Sequence, residues 1–148
     1  MGKNIFILLI INILLSLVQI SFVPVLFSNN IYLNLILAFS FGFLALNKTK
    51  EAYISALIGG LIMDSLGVVA IGISSFVYCT GLYSAYFIHE KFIKRYAIFF
   101  SIIPVDILYQ LLILKQIEVL NIILTFVSFL IFYILLRKVS KREDLYKL

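Results

Sequence analysis

Charge is kept out of most of this chain, and that exclusion constrains the fold more than any motif does. Six apolar runs lie between short polar clusters: Ile5 to Phe27, Ile31 to Leu46, Ala52 to Leu66, Ile73 to Ile88, Ala97 to Leu114 and Val119 to Leu136. A membrane-crossing helix needs about 20 apolar residues, fewer where the bilayer thins. Of the 148 residues, 64% are hydrophobic and 13% charged. A soluble domain carries about 45–50% apolar and about 25% charged residues. No water-facing core could hide this much apolar surface, so lipid is the expected solvent. The predicted class is an all-α integral membrane protein with six transmembrane helices. It forms one polytopic domain over 1–148, with a basic cytoplasmic tail from about 137 to 148 that lies on the surface or frays.

The charged clusters set the orientation. With the N-terminus inside and six crossings, Lys3, Lys48, Lys50, Lys91, Lys94, Arg95, Arg137, Lys138, Lys141, Arg142 and Lys147 all fall on the inner side. Lys115 alone falls outside. The positive-inside rule predicts this asymmetry, with both termini cytoplasmic. Five crossings would scatter the basic residues over both faces. The start, Met1-Gly2-Lys3-Asn4 and then apolar residues, looks like a secretory signal. The run that follows is longer than a signal core and no small-residue cleavage site ends it, so it is expected to remain as the first span.

Two acids break the apolar pattern, Asp64 and Asp106. An ionisable group in a span is costly and normally faces protein or a wet cavity. Ala56, Gly60 and Asp64 are four apart and share a helix face. Small residues on such a face let a second helix approach closely. Gly67 and Gly72 follow, and Gly67 to Gly72 reads as a turn or a broken helix, because glycine is a poor helix former. Asp106 stands in the fifth run beside Pro104. Both acids are expected at similar depth, lining one site or sitting apart. Each is either an ion or partner site, or a carboxylate held by backbone donors at a helix break. No lysine or arginine in the spans is available to pair with them, so one of the two is expected to carry a proton. In the first run Asn12, Ser16 and Gln19 recur three or four apart. They form a polar stripe suited to hydrogen bonds with neighbouring helices.

Other classes find little support. The net charge of +5 would suggest nucleic acid in a soluble protein. Here it marks topology, and no nucleic-acid partner is expected. The single Cys79 has no intrachain partner, and there is no CxxC, HExxH, phosphate-binding loop or GxSxG. His89 beside Glu90 lacks the further ligands a metal would want. No nucleophile–base pair stands out, so the chain is not expected to be an enzyme, and no cofactor is expected.

From Gly59-Gly60-Leu61-Ile62-Met63-Asp64-Ser65-Leu66-Gly67 through Leu82, the sequence resembles the bacterial rod shape-determining MreD family. That family has a G-x-x-x-D element in a span, then a glycine-containing segment and a Gly-hydrophobic-Ser. Gly60, Asp64, Gly67, Gly72 and Ser74 match it. Asn34 to Leu37 is similar to the family's Pro-Asn-Leu-Leu, with Leu33 in the place of the proline. The resemblance implies a non-enzymatic component of the cell-elongation machinery in the bacterial inner membrane. Such a protein binds the single-span MreC and helps link MreB filaments to peptidoglycan synthases, which shapes the cell. It also implies a fold similar to the substrate-binding subunits of energy-coupling factor transporters. A small-residue groove near Gly60 is then expected to accept the partner's span, with Asp64 fixing local geometry and no small-molecule substrate bound. The competing expectation is a transporter subunit that captures a vitamin-like ligand between Asn12, Gln19, Asp64 and Asp106.

Overall fold

A computed structural model describes the backbone of residues 2–27, 31–66, 71–92 and 96–145, and the side chains of 5–25, 31–66, 71–91 and 98–140. The chain is all-helical, with six helices and no strand among the described residues. The first, α1, covers 2–27: Gly2–Leu17 is α-helical, Val18–Phe22 is π-helical, and Val23–Phe27 is α-helical again. Then come α2 (Leu35–Ala45), α3 (Thr49–Leu66) and α4 (Ile73–Phe92). The fifth, α5, covers 96–114 as Tyr96–Tyr109 followed by a π-helical Gln110–Leu114, and α6 is Val119–Leu145.

Local chemistry explains most of these boundaries. Pro24 has no N–H to give the carbonyl four residues back, and the wide turn before it takes up the misfit. There the Val23 N–H reaches back five residues to the Val18 carbonyl. The side chain of Asn34 caps α2 by accepting from the Leu37 N–H at 3.3 Å. Left-handed residues follow two helices, Asn47 (φ 60) after α2 and Lys115 (φ 56) after α5.

The second helix organises the packing. All of Leu35–Ala45 is buried, an 11-residue helix with no exposed face. It lies against α3 and α6 most extensively, and also touches α1, α4 and α5. Gly42 lets α6 come close, with Phe132 and Leu136 over it. Around this axis Phe39 meets Phe43 and Phe132 edge-on, and Phe99 meets Phe129 and Tyr133 in the same way. These geometries are favoured by the ring quadrupole.

The outside is apolar. Phe6, Leu14, Phe22 and Val25 of α1 are exposed, as are Ile123, Val127, Ile131 and Ile134 of α6. Two helices are long and apolar enough to cross a membrane, Ile5–Val25 and Val119–Ser140.

One expectation needs correction. The second run was expected to be helical from Ile31 to Leu46, but residues 31–34 are not helical and only Leu35–Ala45 is. The basic tail, expected on the surface or frayed, is helical as far as Leu145, with Arg137, Lys138 and Val139 exposed, and 146–148 lie outside the described residues. Lysine, arginine and glutamate end a lipid-compatible run, but they are good helix formers.

Candidate functional site

Gly60, Gly72 and Asp64 meet where α3 hands over to α4. Asp64 lies in the last turn of α3 and is buried. Its Oδ2 accepts from the Gly72 N–H at 2.7 Å and from the Ser74 N–H at 3.1 Å, and its Oδ1 accepts from the Ser74 N–H at 3.2 Å. The first N–H groups of α4 have no helical partner of their own, and a carboxylate is well suited to receive them. Gly72 has φ +101, a conformation that L side chains rarely adopt. One turn earlier on the α3 face, Gly60 faces the backbone of Ser75. A Cβ there would lie 2.5 Å from both the Ser75 Cα and N. Ser75 Oγ donates to the Leu57 carbonyl at 3.0 Å. Gly60, Asp64, Gly72 and Ser74 therefore act as one latch between consecutive helices. Ala56 is fully buried on the same helix, and Gly67 lies outside the described residues. The groove at Gly60, expected to receive another protein's span, is filled by the chain's own α4.

Asp106, on α5, sits among neutral donors. Its Oδ1 accepts from Asn34 Nδ2 at 3.4 Å and its Oδ2 from Gln110 Nε2 at 3.0 Å. Asn34 Oδ1 in turn accepts from the Tyr78 hydroxyl at 2.9 Å. The Tyr109 ring is stacked on Tyr78, with centroids 5.1 Å apart, and on Tyr32, at 5.7 Å. The Tyr32 and Tyr109 hydroxyls share a hydrogen bond of 2.9 Å, Gln19 Nε2 donates to the Tyr32 hydroxyl at 2.6 Å, and Ser74 Oγ lies 3.4 Å from the Tyr109 hydroxyl. The two acids belong to one polar interior but do not touch. Ser74 and the tyrosine stack stand between them.

Much of this polarity serves the break at residues 31–34. Non-helical backbone inside a bundle leaves N–H groups that must find partners. Side chains from other helices supply them. The Tyr32 N–H donates to Asn121 Oδ1 at 3.0 Å and the Asn34 N–H to Thr125 Oγ1 at 3.3 Å. The Leu35 N–H donates to Gln19 Oε1 at 2.9 Å. At the start of α6 the Glu118 N–H donates to Gln110 Oε1 at 3.0 Å. A smaller cluster lies elsewhere: Ser55 Oγ donates to Asn12 Oδ1 at 3.0 Å and accepts from Ser40 Oγ at 3.3 Å, joining α1, α2 and α3. Among the described residues every buried side-chain nitrogen and oxygen has a partner. The arrangement spends its donors and acceptors on the protein itself.

The polar stripe on α1 was readable in advance, though its members part company. Asn12 belongs to the serine cluster, Gln19 to the tyrosine network, and Ser16 Oγ donates to its own helix at the Asn12 carbonyl, 2.8 Å away. The residues that sequence reasoning missed are Tyr32, Tyr78, Tyr109, Gln110, Asn121 and Thr125. A faint signal existed. Gln110 is four residues after Asp106, and Thr125 four after Asn121, so each pair marks a polar face on an apolar helix. The chain matches no family model, no curated protein sequence and no solved structure at a significant level.

Proposed function

We propose that this chain is a non-enzymatic, multi-pass scaffold of the bacterial inner membrane, of the MreD type. In this reading it docks a single-span MreC-like protein and through it helps couple MreB filaments to peptidoglycan synthases during cell elongation. The observation that carries the reading is the latch. Gly60, Asp64, Gly72 and Ser74 are matched positions of the resemblance, and they form one hydrogen-bonded contact between α3 and α4. A motif whose carboxylate is fully occupied by backbone N–H groups suits a shape-holding part better than a reacting one.

The apolar exterior supports membrane insertion, and the basic residues gathered on alternate loops support six crossings with both ends cytoplasmic. The short α2 covers roughly 16 Å at about 1.5 Å per helical residue, and the non-helical residues 31–34 lengthen the segment before it. The enclosure of this segment by other helices fits the rule that non-helical backbone at such depth must be buried in protein.

The test is affinity capture of the tagged full chain from its own host's membranes, in mild detergent, with identification of what accompanies it. Recovery of a single-span periplasmic protein together with elongation-machinery components is expected. Recovery of an ATPase module and a tightly held small molecule would overturn the reading in favour of a transporter subunit, and recovery of neither also counts against it.

A further inference from the structure

The two buried acids sit in unlike surroundings. Asp64 meets backbone N–H groups only, those of Gly72 and Ser74, at the opening of α4. Such amides are fixed in place and carry the positive end of the helix dipole, so they suit an anion.

Asp106 has no helix terminus beside it. It stands well inside the fifth apolar run and is 2% exposed. Its two oxygens face the side-chain amides of Asn34, at 3.4 Å, and Gln110, at 3.0 Å. Both amides are locked in that orientation. Asn34 Oδ1 is held by the Leu37 N–H and Gln110 Oε1 by the Glu118 N–H, so each turns its NH2 end to the acid. These donors are neutral and serve a carboxylic acid as readily as a carboxylate. The titratable groups nearby are phenols: Tyr32 before α2, Tyr78 of α4, and Tyr109 stacked between them. Among the described residues no lysine, arginine or histidine is paired with Asp106. A buried charge without a partner is costly, and a carboxyl group escapes that cost by keeping its proton.

The remaining contact has a use for that proton. The Thr125 side chain of α6 also hydrogen-bonds to Asp106. Its Oγ1 already receives the Asn34 N–H at 3.3 Å. A hydroxyl oxygen has two lone pairs, so it can take a second donor. A carboxylate only accepts, whereas a carboxylic acid accepts and donates. A neutral Asp106 can take the N–H groups of Asn34 and Gln110 and give its own O–H to Thr125. One side chain then ties α5 to the start of α2 and to α6.

We infer that Asp106 is a proton-binding site, a carboxylic acid at neutral pH, while Asp64 is a carboxylate. This proton site is independent of the docking role proposed above and of any partner.

The test is infrared spectroscopy of the full chain in mild detergent at neutral pH, with isotope-labelled aspartate carboxyls. One labelled protonated-carboxyl band is expected. Asp106→Asn should remove it and Asp64→Asn should leave it. Gln110→Leu should shift the band without removing it, because the acid loses one donor. The amide bands of the same spectra show whether each variant is folded, and Gln110→Leu keeps the test decisive if Asp106→Asn is not. Absence of the band in wild type overturns the inference. So does a band that survives in folded Asp106→Asn, that Asp64→Asn removes, or that Gln110→Leu leaves unmoved. A band that appears only once sodium and potassium are withdrawn marks a cation site instead, and overturns it too.

Discussion

Gln19 on α1 and Gln110 on α5 hold equivalent posts around one polar interior. Each lies in a π-helical turn. Each accepts a backbone N–H at the start of another segment, Leu35 at 2.9 Å and Glu118 at 3.0 Å. Each then donates into the polar interior, to the Tyr32 hydroxyl and to Asp106. A wide turn offers a way to aim one side chain at a partner that a regular helix would miss.

Replacing either glutamine by leucine removes two side-chain hydrogen bonds, one to a backbone N–H (Leu35, which keeps its bond to the Leu33 carbonyl, or Glu118) and one to Tyr32 or Asp106, at a cost of about 1–3 kcal/mol. Reversible unfolding in mixed micelles should show Gln19→Leu and Gln110→Leu destabilised by that amount. Val25→Ala, at a position 82% exposed, should stay near wild type. A Gln19→Leu chain as stable as wild type would remove the structural role assigned to the turn.

At Asp64 the two substitutions of interest should separate. Asp64→Asn keeps one oxygen to receive the Gly72 and Ser74 N–H groups, whereas Asp64→Leu keeps none. Bonds to a charged acceptor are worth about 1.5–3 kcal/mol each, so the leucine variant should lose roughly 3–5 kcal/mol and the asparagine variant much less. Hydrogen exchange at the Gly72 and Ser74 amides reads the same difference locally. Fast exchange in wild type would argue against the latch.

Two glycines on packed helices should respond oppositely to an added methyl. At Gly60 the Cβ would press on the Ser75 backbone at 2.5 Å, so Gly60→Ala must force α3 and α4 apart. Overpacking of this kind costs about 1–3 kcal/mol. At Gly42 the nearest atom is the Leu136 Cδ1, 3.1 Å away at the end of a flexible side chain, and alanine there should be tolerated. Equal losses at both sites would refute the packing described.

The proposed threading is checked by labelling from outside the cell. In a Cys79→Ala background, Lys115→Cys should react with an impermeant maleimide, and Lys138→Cys should not until the membrane is opened. Reaction of Lys138→Cys in intact cells would overturn the inner placement of the tail.

The six helices were legible because charge interrupts hydropathy in the right places. The start of α2 was not, because Ile31, Tyr32 and Leu33 are as apolar as the helix they precede. What unwinds them is distant. Gln19, Asn121 and Thr125 offer side-chain acceptors that let the backbone stay out of the helix, and no local pattern announces that. The close approach at Gly60 could be read from spacing. Whether it served this chain or another protein could not, since a small-residue face looks the same in either case. The tyrosines were hidden by their own versatility, because a buried hydroxyl network and an interfacial belt use the same residue.

The enclosure of α2 bears on how the chain is made. Its non-helical lead-in emerges from the ribosome early, yet two of the side chains that satisfy it, Asn121 and Thr125, lie 89 and 91 residues further on in the bonds they form. A nascent chain halted after α3 or α4 would therefore leave those backbone groups unmet and the α6 side of α2 uncovered. Assembly of the interior must wait for the last segment to be delivered, and premature truncation should leave a product that quality-control proteases recognise rather than a smaller working bundle.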